Sequence, residues 1–115
     1  MSISFEGIGQ WAATFACGED VAVGKIVKIT GNGTVGACAD GDAFCGTAAG
    51  FGGDKAACAV VLSGMVTVPY TGAAPALGWS NLSADGTGGV KADSNGSKYL
   101  VADVDDIGMM VTFVL

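Results

Sequence analysis

Histidine and arginine are both absent from this 115-residue chain. Without histidine, the commonest general base near neutral pH and the commonest metal ligand are missing. Without arginine there is no planar fork to grip phosphate or carboxylate at two points. Charge of either sign is scarce, at 14% of residues, against roughly a quarter in an average soluble domain. The five lysines are scattered and outnumbered by 11 acidic residues, which leaves a net charge of −6. Nucleic acid and anionic membrane surfaces are therefore poor partners, since both require clustered cations. No apolar run approaches the roughly 20 residues that span a bilayer. The opening Met-Ser-Ile-Ser-Phe-Glu-Gly has neither the basic start nor the apolar stretch of a secretory signal. The chain is thus expected to fold in a cytoplasm, where Cys17, Cys38, Cys45 and Cys58 stay reduced by default.

What the chain does have is glycine, 20 times, and 50% hydrophobic residues. Apolar spacing sustains no helical period, and Gly, Asn-Gly and Asp-Gly interrupt the chain too often for a long helix. The expectation is an all-β domain of short strands and glycine-rich turns. Strands are expected at Lys25–Thr30, Thr34–Ala37, Ala43–Ala49, Ala57–Leu62, Met65–Tyr70, Tyr99–Val104 and Met109–Leu115. Gly31-Asn32-Gly33 and Asp40-Gly41-Asp42 read as turns, and Gly50 to Lys55 as a loop. Pro69 to Pro75 should break the ladder, because proline has no N–H to donate. In the last strand both faces are largely apolar, which places it at the centre of a sheet or at a subunit contact. Residues 1–16 are an extended arm or a first strand, and residues 17–115 one domain, with no repeat or linker.

Candidate reactive groups do not assemble into a motif. The four cysteines include no close Cys-x-x-Cys pair, so free thiols are expected rather than a zinc site. A catalytic cysteine would lack its histidine base. Asp103-Val-Asp105-Asp106-Ile-Gly108 misses a calcium-loop ligand at Ile107 and the closing Glu at Val114. Its aspartates are expected to cap a tight turn instead. The glycine clusters lack the Gly-Lys-Ser/Thr of a phosphate loop. No catalytic, metal or cofactor-binding residue is assigned, and the chain is read as not an enzyme. Trp11, Trp79, Tyr70 and Tyr99 are core or interface anchors, or a stacking platform for a sugar or a base.

The order of several segments carries a family likeness. Val-Ala-Val-Gly-Lys-Ile-Val-Lys-Ile (21–29) is followed by Gly-Asp-Ala-Phe-Cys-Gly-Thr-Ala (41–48) and Val-Leu-Ser-Gly-Met-Val-Thr-Val-Pro-Tyr-Thr-Gly (61–72). Leu-Gly-Trp (77–79), Tyr-Leu-Val-Ala-Asp-Val-Asp (99–105) and an apolar terminal strand complete it. Over nearly its whole length the chain resembles the small head decoration, or capsid cement, proteins of tailed phages and prophages. The resemblance implies a compact β-barrel or β-tulip-like body. It also implies a trimer seated on the lattice of the major capsid protein, with an N-terminal arm reaching onto the shell. The protein would then be made in a bacterial host cytoplasm and end in the virion. On that reading Phe5, Ile8 and Trp11 are the candidate capsid contacts. Tyr70, Pro75, Met109, Val111, Phe113 and Leu115 are the candidate oligomer interface, chosen because they are apolar and have no evident partner within the chain. The alternative is a carbohydrate- or host-surface-binding β module that uses Trp79 and Tyr70.

Overall fold

A computed structural model describes residues 11–18, 20–52 and 56–115. Every regular element in them is a strand. The order is β1 (Trp11–Cys17), β2 (Ile26–Gly31), β3 (Thr34–Ala37), β4 (Gly46–Gly52), β5 (Ala57–Ser63), β6 (Met65–Pro69), β7 (Gly78–Ala84), β8 (Val90–Ala92), β9 (Ser97–Asp105) and β10 (Met110–Val114). The all-β expectation holds.

The first five strands close a barrel in the order β1-β3-β2-β4-β5, and the last five form a sheet in the order β6-β10-β9-β7-β8. The barrel closes because β1 pairs in parallel with β3 on one side and antiparallel with β5 on the other. The second sheet curls until its edge strands approach, and Tyr70 bridges Val90 between them. Such closure leaves little open strand edge.

Strand alternation sorts the side chains into two cores. On β2, Val27 points into the barrel and Ile26 into the space shared with the second sheet. On β5, Cys58 and Val60 point into the barrel and Val61 into the shared core. Both faces of these strands are covered, so their apolar residues run consecutively instead of alternating with polar ones. Phe44, in the connection between β3 and β4, inserts between the two sheets. It stacks on Tyr99 at 5.1 Å and meets Phe113 edge-on at 5.8 Å. Tyr99 and Phe113 also meet edge-on, at 5.2 Å.

Glycine decides two junctions. Gly64 joins barrel to sheet at φ 105°, a conformation that side chains rarely adopt. Gly46 starts β4 so close to β5 that a Cβ would collide with the Val61 carbonyl.

Several local expectations need correction. Ala43–Ala49 is not one strand, since β4 begins only at Gly46 and Phe44 serves as a core anchor before it. Gly50 to Lys55 is not all loop, because β4 runs on to Gly52 past a bulge between Ala48 and Gly50. For residues 1–16, read as an arm or a first strand, the strand alternative holds over 11–16, which belong to β1 of the barrel, and residues 1–10 lie outside the described residues. The terminal strand is internal to the sheet, between β6 and β9, as its two apolar faces foretold.

Candidate docking surface

The inward face of the second sheet carries Val66, Val68, Leu82, Val101, Val111 and Phe113, all buried. The residues between them must face outward. Strand register then lines up Met65, Val114, Leu100 and Trp79 in one row across β6, β10, β9 and β7. Trp79 is 68% exposed. It borders a groove of about 260 Å³ that is also lined by Lys98, Tyr99, Leu100, Val114 and Leu115. The next outward positions are polar: Thr67 and Thr112 share a hydrogen bond of 2.7 Å between their hydroxyls. The apolar row is therefore a bounded stripe and not a general property of the face.

Trp11 lies near the far end of this stripe. It pairs with Ser63 at the bulge that opens β1 and is 64% exposed. Gly64 then leads directly to Met65, and its carbonyl accepts the Leu115 N–H at 2.9 Å. Barrel rim and sheet stripe thus adjoin through residues 63–65.

The candidate contact residues divide sharply. Trp11 is on the surface, while Phe5 and Ile8 lie outside the described residues. Tyr70, Pro75, Val111 and Phe113 are buried within their own chain. Their apolar character is accounted for by the shared core, so the premise that they lacked an intrachain partner is corrected. Tyr70 is only 3% exposed, which also removes it from any sugar platform. Leu115 packs partly against the same core, and Met109 is 41% exposed. The reading of residues missed Leu100, Val114 and Lys98 as surface groups beside Trp79. Their proximity follows from the β7–β9–β10 register, and no local motif announces it.

Electrostatics here organise loops. The turn at residues 40–42 is clasped from both sheets: Lys28 of β2 pairs with Asp42, and Lys91 of β8 with Asp40 at 2.8 Å. Backbone bonds from Gly41 to Ala84 and from Ala84 to Asp42, at 2.8 and 2.9 Å, stitch the same turn to β7. The Lys28 hydrogen bond and the Ala39 N–H hold the Asp42 carboxyl below its ordinary range. Burial pushes Asp85 up, but hydrogen bonds from the Thr87 N–H and hydroxyl, the Thr71 hydroxyl and the Gly89 N–H outweigh it, and its pKa falls. Asp105 accepts the Ile107 and Gly108 N–H groups at 3.1 and 3.0 Å, so it caps a tight turn as the spacing suggested, while Asp103 to Asp105 themselves end β9.

Burial pushes the thiols of Cys38 and Cys58 up to about 11, Cys58 with help from a hydrogen bond to Cys17. Cys45 is raised by burial too. Thiols held protonated are poor nucleophiles and poor metal ligands. Among the described residues no three His, Cys, Asp or Glu side chains converge in a metal-holding group. Nor is any helix in them long and apolar enough to cross a membrane. No protein-family model matches the chain, and no curated protein matches it in sequence.

Proposed function

We propose that this chain is a structural module that decorates a phage-type capsid, binding the lattice of the major capsid protein as an oligomer and stabilising the shell. The observation that carries the reading is Trp11, a large indole 64% exposed on a barrel rim beside a second apolar stripe. Exposed aromatics of this size are the usual anchors of protein interfaces. The scaffold around them is a stiff double core, and its buried thiols suit packing better than reaction. A decoration protein needs no reaction. It needs a rigid body and a repeated contact, since many symmetry-related sites convert modest affinity into large stabilisation of the assembled state. On this reading the protein sits on the shell as a trimer, is made in a bacterial cytoplasm and resides on the virion surface.

The test is cosedimentation with tailed-phage shells stripped of decoration. Wild-type protein should saturate the shells and raise their disruption temperature. Trp11→Ala should lower occupancy without altering the unfolding midpoint of the free protein, and Phe5→Ala and Ile8→Ala should act in the same direction. Shells that fill equally well with Trp11→Ala would remove the anchor from the reading. A second reading, a carbohydrate- or host-surface-binding module, draws on exposed Trp79 alone, and a glycan screen without hits would end it.

A further inference from the structure

The tip of the β9–β10 hairpin is an apolar knob. Ile107 is 94% exposed there, the most exposed of the large hydrophobic residues among those described. The tip is held in shape, because the Asp105 carboxylate accepts both the Ile107 and the Gly108 N–H. Met109 follows at φ 54°, a left-handed conformation uncommon for a residue with a side chain. Holding an isoleucine in water on an ordered, strained turn makes sense when something covers it.

A complementary hollow lies at the other end of the same strands. The groove beside Trp79, Leu100 and Val114 measures about 260 Å³. That is below the roughly 300–1,000 Å³ of small-molecule sites and suits an inserted side chain. Charge also matches. Lys28 and Lys91 are engaged by Asp42 and Asp40, whereas Lys98, on the groove wall, makes no ion pair with any described residue. The knob carries Asp106, which is exposed and has no hydrogen bond to a described residue. From Met110 beside the knob to Val114 at the groove is four residue steps, roughly 14 Å of strand. One copy therefore cannot fill its own groove, and the contact must run from one copy to the next.

We propose that copies of this chain associate head to tail, with Ile107 of one copy seated in the Trp79–Leu100–Val114 groove of the next and Asp106 beside Lys98. Such a contact uses two different patches, so it closes into a ring when the rotation permits and otherwise extends as a filament. The net charge of −6 repels copies in general. A single lysine facing an acidic knob then chiefly fixes the register of docking. The contact deepens the oligomer part of the reading above and needs no capsid. Its failure would leave shell binding through Trp11 untouched.

The experiment is sedimentation velocity of the free full-length protein over a wide concentration range at low salt. Wild type should self-associate reversibly. Ile107→Asp, Lys98→Glu and Asp106→Lys should each weaken association by at least about tenfold, the usual effect of removing a central anchor or charge. The double variant Lys98→Glu/Asp106→Lys should recover most of the loss. In a Trp11→Phe background, Trp79 emission should move to shorter wavelength as wild-type contacts form, and Ile107→Asp should abolish that movement. All these positions are exposed or on the groove wall, so unfolding midpoints should stay put. A wild type that remains monomeric at every concentration would overturn the proposal. So would association indifferent to Ile107→Asp, or a double charge reversal that restores nothing.

Discussion

Replacing Phe44 with alanine should loosen the barrel from the second sheet. Phe44 belongs to no strand, yet its ring touches Tyr99 of β9 and Phe113 of β10, and it is almost fully buried. Truncation removes the transfer free energy of the ring, leaves a cavity against two aromatic neighbours and breaks one stacked and one edge-on contact. Phe→Ala changes in cores cost about 3–5 kcal/mol, a large share of the roughly 5–15 kcal/mol that holds a domain together. With a urea slope of about 2 kcal/mol per M, the midpoint should fall by roughly 2 M. Far-UV circular dichroism is the appropriate probe, because Trp11 and Trp79 are already exposed and their emission should respond weakly to unfolding. Phe44→Leu should cost much less, since a branched side chain refills part of the space. A loss below about 1 kcal/mol for Phe44→Ala would mean that the two sheets are not joined through this ring.

Other perturbations test other parts of the account. Asp42 has a lowered pKa, so its contribution is present above the ordinary carboxylate range and fades as pH falls through the lower folded value. Lys28 is raised by the same contact, so its contribution is present below the ordinary lysine range and fades as pH rises through the higher folded value. Lys28→Met should therefore flatten the urea midpoint against pH at both extremes, and an unchanged profile would deny the clasp any role in stability. Cys38 and Cys58, held near 11, should resist thiol-directed reagents at pH 8 until urea unfolds the chain. Rapid native labelling of either would contradict their burial. Gly46→Ala should destabilise by about 1–3 kcal/mol through overpacking against the Val61 carbonyl, measured by the same urea titration.

The turn chemistry was legible because it is local. Asn32-Gly33 turns β2 into β3, and Asp105 caps its own downstream N–H groups, as residue type and spacing imply. The central place of β10 was legible too, from apolar residues on both of its faces. Phe44 was not, because an aromatic next to a glycine-rich stretch reads as strand text whether it pairs or plugs. The burial of several oligomer candidates was hidden for a related reason. Tyr70, Val111 and Phe113 are as apolar as any interface residue, and residue type does not distinguish a neighbour in the same chain from a neighbour in another.

The sequence by itself determined the class of this protein. Abundant glycine, absent helical periodicity and short apolar runs leave only an all-β domain, and the lack of histidine and arginine narrows its chemistry. Tertiary structure alone decided which strands close the barrel, which apolar residues fill the two cores, and that Trp79, Leu100 and Val114 meet around one groove. The physical reason is range. Turn conformation and alternation are set by neighbours within a few residues, whereas the groove is made by strands up to 35 residues apart in sequence (Trp79 to Val114), whose register depends on the packing of the whole sheet.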